Sequence, residues 1–467
     1  MPHHRTDRLL LFGFVVVNLV LKLSWLGVNE LAHDEPFTVF WSQRPWAELW
    51  AMFRTENNPP LYFLLIKVWS AVVPFETAWL RVPSAVFSGL AVWPLVLLAR
   101  HFGGRGAALL AGLVFTCSNY HYGFAHEVRA YPLFTLLTTT GLWLLVRATQ
   151  RPGQEMKGLL HLSMLNVVLV YTHFFGWLVV GLQGLLVFAI PAMRPLRQGF
   201  LFGAAMTAVW FLPYGIIFLE RMSQSVGQGT WLAPPVPEEL YNMVWRWSNA
   251  PVLTVVFLAL IVAAIGKDRL RSDGMRFALI WAFVPLLGMF AVSFAVPMFL
   301  DRYLVYAAPG FALLVGLSVV VLVRNERLRA GVIGALGLGL VATFTPWKDT
   351  GLHPSRVVQV EREWCGDDCS VQVLPRWYWL THFAAKDINS LRRPTDQHLA
   401  YFTGTGRRTD AKVPSAPLDT LPVALVIDAG AHLVDPERGW YRDLRTIYPH
   451  VDSVEADRKV WVYRFRR

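Results

Sequence analysis

The chain is short of charge and of cysteine. Only 16% of its 467 residues are Asp, Glu, Lys or Arg, where about a quarter is ordinary for a soluble enzyme. Three cysteines are too few for a disulfide scaffold. There is no Walker A loop, no GxGxxG on a strand–helix unit and no zinc-finger cysteine spacing, so nucleotide-dependent chemistry has no motif to rest on. What abounds is apolar. The chain is 54% hydrophobic with a mean hydropathy of +0.40, and it holds 20 Trp and 30 Phe. That balance excludes a disordered chain and fits a bilayer protein with aromatic belts.

A spanning helix needs about 20 mostly apolar residues. Eleven runs qualify: 9–28, 80–99, 106–123, 131–147, 159–173, 174–191, 199–219, 249–266, 277–297, 303–323 and 330–346. A twelfth stretch, 60–74, is short and amphipathic and carries Lys67 at its centre. With eleven spans and the N-terminus inside, 16 of the 25 Lys and Arg in residues 1–346 fall on the cytoplasmic side, as the positive-inside bias requires. Counting 60–74 as a span would move nearly all of them outside. It is therefore read as a helix at the outer interface. The odd count places the C-terminus outside too. The first run holds Asn18 and Lys22, lacks a small-x-small cleavage site and reads as a retained anchor. The net charge of +11 lies mostly in loops of this membrane part and is not a nucleic-acid signature.

Half of all acidic residues, 16 of 32, lie in 347–467. Apolar runs such as 424–430 and 459–465 alternate there with turn signals, as in a small α/β unit. The expected fold is an all-α polytopic membrane protein of about eleven transmembrane helices with a small C-terminal α/β extracytoplasmic domain. Its parts are 1–346, with amphipathic interface helices in the first outer loop (29–79), and the soluble domain 347–467. Cys365 and Cys369 form a disulfide or remain two thiols; an oxidising outer compartment favours the bridge. Cys117 lies within a span and reads as packing. The small residues of 331–340 favour close helix packing.

The polar groups at the outer surface carry the chemistry. His33, Asp34 and Glu35 follow the first span. Adjacent carboxylates beside apolar surface have split pKa values, and one can serve as a general base; a solvated acidic pair is the bland alternative. The same loop carries the aromatic stretch 41–53 and then Glu56, Asn57 and Asn58 before Pro59 and Pro60, where the two Asn supply donors beside a fixed backbone. The second outer loop, 119–132, packs His121, His126, Glu127, Arg129 and Tyr131 between spans; Glu127 and Arg129 either pair with each other or serve a site. Further on lie Tyr171-Thr172-His173 and Asp301-Arg302-Tyr303. An Arg flanked by apolar runs needs an anionic partner: a lipid-linked phosphate, or Asp301 or Glu127. Trp231 offers a stacking face or belongs to the aromatic belt. His33, Asp34, His126, Glu127 and His173 are candidate ligands for a divalent metal, although their spacing specifies none.

In this order and placement, several segments resemble the GT-C membrane glycosyltransferases, near glycosyltransferase family 39, which includes protein O-mannosyltransferases and lipid A aminoarabinose transferases. They are Asp34-Glu35, Asn57-Asn58-Pro59-Pro60-Leu61-Tyr62, Trp79-Leu80-Arg81-Val82-Pro83-Ser84, Glu127-Val128-Arg129-Ala130-Tyr131-Pro132, Tyr171-Thr172-His173-Phe174-Phe175-Gly176 and Arg302-Tyr303-Leu304. The likeness covers 1–323. The aminoarabinose transferases carry a Lys where Asn58 stands, and the inserted luminal domain of the eukaryotic mannosyltransferases has no counterpart here. The resemblance implies a polyprenyl-phosphate-linked sugar donor, an acceptor hydroxyl of the cell envelope and inverting transfer on the outer face of a bacterial inner membrane. Asp34 matches the family's base, with Glu35 and Glu127 orienting groups around it. Arg302 first, then Arg129, is expected on the phosphate. His173, Asn57, Asn58 and Tyr303 are expected at the donor head group. The rival reading is a transporter or lipid-linked sugar flippase, which more often shows repeat symmetry and broken helices at the midplane. A third is an inactive scaffold whose outer domain binds a partner.

Overall fold

The computed structural model describes residues 2–54, 58–150, 153–228, 232–347, 349–365, 369–392, 422–433 and 435–467. The chain divides into two compact units. The first comprises Met1–Trp25, Asn57–Tyr62 and Arg81–Pro346, and the second Leu26–Glu56, Phe63–Leu80 and Trp347–Arg467.

Up to residue 346 the helices are α1 (Pro2–Leu23), α2 (Glu35–Ser42), α3 (Trp46–Phe53), α4 (Leu61–Ser70), α5 (Thr77–Leu90), α6 (Val92–Thr116), α7 (Asn119–Ala125), α8 (Tyr131–Thr149), α9 (Glu155–Thr172), α10 (Gly176–Ala189), α11 (Arg197–Gln228), α12 (Glu238–Ser248), α13 (Pro251–Asp268), α14 (Asp273–Val292), α15 (Ala308–Leu322) and α16 (Glu326–Thr343). A helix occupies each of the eleven apolar runs. Among the described residues, four segments are long and apolar enough to cross a membrane by length and composition: Thr77–Thr116, Pro191–Ser223, Pro251–Asp268 and Asp273–Val292. Leu61–Ser70, Gly176–Ala189 and Ala308–Leu322 are shorter apolar helices. The first of the four segments holds the run 80–99 and most of 106–123. Gly104 divides it with φ 72° and ψ −162°, a backbone state that L side chains rarely adopt. At ten residues, α4 is too short to span.

The first unit is built around α15, buried from Ala308 to Val319 and packed against α6, α13 and α14. A Cβ on Gly316 would sit 2.7 Å from the Ala107 carbonyl oxygen, so glycine sets the α6–α15 approach. The glycine-rich stretch 331–340 does not do this work throughout. Gly331 and Gly334 face open space, and Gly337 and Gly339 meet only leucine side chains at 3.3 Å.

The second unit holds α2 and α3, most of α4 and the C-terminal segment. Its remaining elements are α17 (Pro354–Trp364), β1 (Cys369–Leu374), α18 (Trp379–Lys386), β2 (Val423–Asp428), α19 (Gly439–Ile447), β3 (His450–Asp457) and β4 (Val460–Arg466). The sheet runs β1-β2-β4-β3, with β1 parallel to β2 and the other pairs antiparallel. Trp440 and Leu444 of α19 pack on one face with Val426 and Phe465. Val357 of α17 and Tyr378 pack on the other with Leu425 and Val462. Cys365 and Cys369 are disulfide-bonded, and Cys117 is buried with a free thiol.

The expected boundary at 346 puts 29–79 with the membrane part, whereas 26–56 and 63–80 fold with 347–467. Hydrogen bonds to carbonyls explain this. Arg44 Nη2 donates to Leu391 O at 3.0 Å and Arg392 O at 3.1 Å, and Arg392 Nη2 donates to Ser70 O at 3.0 Å. Ser355 Oγ and N–H both bond the Glu30 carboxylate. The stretch 41–53 is not one helix, because Pro45 separates α2 from α3.

Glu361 on α17 is buried and accepts from His382 Nε2 at 2.6 Å and from Lys386 Nζ. Burial would raise its carboxyl pKa, but the two donors outweigh that and hold it below the usual glutamate value. Its stabilisation is therefore present above the ordinary carboxylate pKa and lost as pH falls. Glu361→Ala leaves His382 without that acceptor and is expected to destabilise the unit by about 1–3 kcal/mol, read by denaturant unfolding of the full chain.

Candidate active site

In the first unit the candidates gather around one imidazole. After α9 the chain becomes extended at His173, with φ −144° and ψ 142°, and turns into α10. The Phe175 N–H donates to His173 Nδ1 at 3.1 Å, which sets the neutral tautomer with its proton on Nε2. The ring stacks on Phe134 at 4.5 Å and 15°, with Tyr131 at 5.6 Å and Tyr303 at 6.3 Å. The two tyrosines that flank the ring each carry a guanidinium: Arg129 lies over Tyr131 and Arg302 over Tyr303, so two arginines from separate segments approach one buried imidazole.

Arg129 lies in the turn between α7 and α8. Ser118 Oγ caps α7 by accepting from His121 N at 3.2 Å. The Arg129 N–H bonds Glu127 O at 2.8 Å, Nη2 donates to Asn58 Oδ1 at 3.4 Å, and the guanidinium lies 5.6 Å from the Tyr131 ring centre. Its carbonyl accepts from Ser84 Oγ at 3.1 Å, and Ser84 bonds the Tyr62 hydroxyl at 2.6 Å. Tyr214 donates to Asn58 O at 3.5 Å. Arg302 lies 5.8 Å from the Tyr303 ring centre, and its N–H bonds Asp301 Oδ1 at 2.7 Å. Asp301 Oδ2 takes an ion pair from Arg246 Nη1 at 2.7 Å.

The structure thus brings together Arg129, Arg302, His173, Asn58 and Tyr303. His126 sits elsewhere in its loop. It is buried with Nε2 on Lys22 O at 3.0 Å, and burial and Lys22 push its pKa down to about 3. Glu127 is half-buried. The sequence reading missed Phe134 and Tyr214, and it named Tyr62 and Ser84 only as parts of resembling segments, without a role. Phe134 could have been found, since it lies three residues after Tyr131, on the same helical face. Asn57, Glu56 and Trp231 lie outside the described residues.

In the second unit, His33 is exposed with φ 53°, a strained state for a residue with a Cβ. Asp34 is half-buried and precedes α2. Its carbonyl accepts from Thr38 N at 3.2 Å, but its carboxylate does not cap the helix. Glu35 is buried with Oε2 3.4 Å from the Ala32 N–H.

Among the described residues no three His, Cys, Asp or Glu gather as metal ligands. Of the five candidates, His173 accepts an N–H on Nδ1 and so keeps its proton on Nε2, which leaves no ring lone pair for a cation.

No family model and no curated protein matches the chain. Solved structures do. ArnT from Cupriavidus metallidurans in the apo state aligns with a TM-score of 0.62 over 96% of this chain and 97% of that one, at 14% identity. The same protein bound to undecaprenyl phosphate aligns equally well at 16% identity. The archaeal oligosaccharyltransferase AglB from Archaeoglobus fulgidus, in complex with an inhibitory peptide and a dolichol-phosphate, aligns with a TM-score of 0.55 over 90% of this chain and 69% of that one, at 11% identity. The fold of the chain is the GT-C fold these structures share.

Proposed function

We propose that this chain is a membrane glycosyltransferase. It moves a sugar from a polyprenyl-phosphate-linked donor to a hydroxyl acceptor of the cell envelope, on the outer face of a bacterial inner membrane. The observation that carries the reading is the approach of Arg129 and Arg302, over Tyr131 and Tyr303, to the buried His173 between those two rings. Two guanidiniums at an aromatic-lined ring suit an anion with several oxygens, and arginine matches phosphate in a bidentate way. The fold likeness to a protein bound to undecaprenyl phosphate and to another in complex with a dolichol-phosphate supports the choice of anion.

In the proposed reaction Asp34 takes the proton of the acceptor hydroxyl. The oxygen attacks the anomeric carbon as the bond from that carbon to the phosphate oxygen breaks on the opposite face, which inverts the centre. The bonding electrons leave with the lipid phosphate, and Arg302 and Arg129 stabilise the charge it gains. His173 holds Nε2–H as a donor and adds no third positive charge. Asn57, Asn58 and Tyr303 position the donor head group. Glu35 and Glu127 orient neighbouring groups. The topology that goes with this has eleven spans, a cytoplasmic N-terminus and 347–467 outside. The Cys365–Cys369 bridge suits that oxidising side.

Native mass spectrometry of the purified chain tests the donor class. The wild type is expected to retain undecaprenyl phosphate over an excess of phosphatidylglycerol, and Arg129→Ala to weaken that retention about tenfold or more. Equal retention of the two lipids by the wild type would contradict the reading.

A further inference from the structure

Strand β4 carries Trp461, Tyr463 and Phe465 at alternate positions, hence on one face of the sheet. The face grades from open to closed. Phe465 is fully buried under α19, Tyr463 is half-buried, and Trp461 is 39% exposed. The Trp461 and Tyr463 rings are near parallel at 30° with centres 6.5 Å apart, and Tyr441 meets Tyr463 edge-on at 5.9 Å and 74°. The rings are thus fixed by packing beneath them.

Apart from Val426, which stands opposite Tyr463 on β2, the residues opposite this pair are polar. In an antiparallel sheet, residues directly opposite share a face. Trp461 stands opposite Asp428 on β2 and Glu455 on β3, and Tyr463 stands opposite Ser453. Asp428 is buried with Oδ1 on the N–H groups of Gly430 and Ala431, while Glu455 and Ser453 are exposed on the edge strand. Flat apolar rings flanked by carboxylates and a hydroxyl match a sugar ring: its C–H face stacks on the aromatics, and its hydroxyl or ammonium groups donate to the carboxylates. Glu455 and Asp428 at Trp461 disfavour an anionic lipid surface as the other occupant of this face, while Arg438 lies at the Tyr463 hydroxyl.

We propose that Trp461 and Tyr463, flanked by Glu455, Ser453 and Asp428, form a saccharide-docking platform on the second unit. Its role is to hold the pyranose rings of a glycan acceptor. That role rests on the transferase reading; the binding itself does not.

The test is calorimetric titration of the full chain in nanodiscs, without any lipid donor, using chitotetraose and its de-N-acetylated form as probes. Both bind, the amino form more tightly. Trp461→Ala weakens both by about tenfold or more. Glu455→Gln narrows the gap between the two sugars without abolishing binding. Failure of the wild type to bind either sugar, or unchanged binding by Trp461→Ala, overturns the platform. So does tighter binding of the wild type than of Trp461→Ala to phosphatidylglycerol vesicles in place of the sugars. The outcomes for the two readings are separable. Transfer that survives Trp461→Ala with unchanged acceptor KM overturns the platform and leaves the transferase. Sugar binding that depends on Trp461 in a chain that never transfers does the reverse.

Discussion

Asp34→Asn is expected to lower sugar transfer by about 10²–10⁴-fold, the usual contribution of a positioned general base. The substitution keeps the shape of the side chain and removes its charge and basicity. The backbone role of Asp34, accepting from Thr38 N–H at the start of α2, is unaffected, so the fold should persist. The loss should fall on kcat, because the proton moves only as the acceptor oxygen attacks. Unfolding of the variant at the wild-type midpoint is part of the expectation. A folded Asp34→Asn chain with full activity would remove the base from this position, and Glu35 would be next, although its burial and its contact with the Ala32 N–H suit an orienting role better.

Arg302→Ala is expected to cost about 10²–10³-fold in kcat, the range seen when one preorganised donor to developing charge is removed. The leaving phosphate gains charge as its bond to the sugar breaks. A guanidinium aimed at it therefore stabilises the transition state more than the bound donor, so KM should move less than kcat. Arg302→Lys should recover only part of the loss, because an ammonium keeps the charge and forfeits the fork geometry. Equal changes in kcat for Arg302→Ala and for a change at Arg246, whose partner is the Asp301 carboxylate, would reassign Arg302 to holding the turn.

Much of this architecture was legible in the residues. Apolar runs mark helices because a bilayer leaves the backbone no other way to satisfy its polar groups, and every run proved helical. The C-terminal sheet announced itself through apolar runs set between turn signals, and 424–430 and 459–465 hold most of its strands β2 and β4. Arg129, Arg302 and His173 stood out because charge and imidazole are costly beside apolar runs. What could not be read depends on partners that any sequence supplies. Arg44 ties the first outer loop to the second unit through the carbonyls of Leu391 and Arg392, and every residue has a carbonyl. His126 looked like His173 in sequence, but a carbonyl of α1 claims its Nε2. The Tyr62–Ser84 contact to the Arg129 carbonyl is likewise a matter of three-dimensional proximity. Glycine content flagged α16 for close packing, yet the tight approach falls at Gly316, where the facing residue, not the glycine count, decides.

The most direct test of the central claim is transfer itself. Purified wild type and Asp34→Asn chains would be given a panel of radiolabelled polyprenyl-phosphate sugars with envelope extracts as acceptors, and label leaving the lipid would be counted. Turnover of at least one donor by the wild type, reduced about 10²-fold or more in the variant, is the predicted result. A folded wild type that retains undecaprenyl phosphate yet releases no sugar from any donor with any acceptor fraction would contradict it.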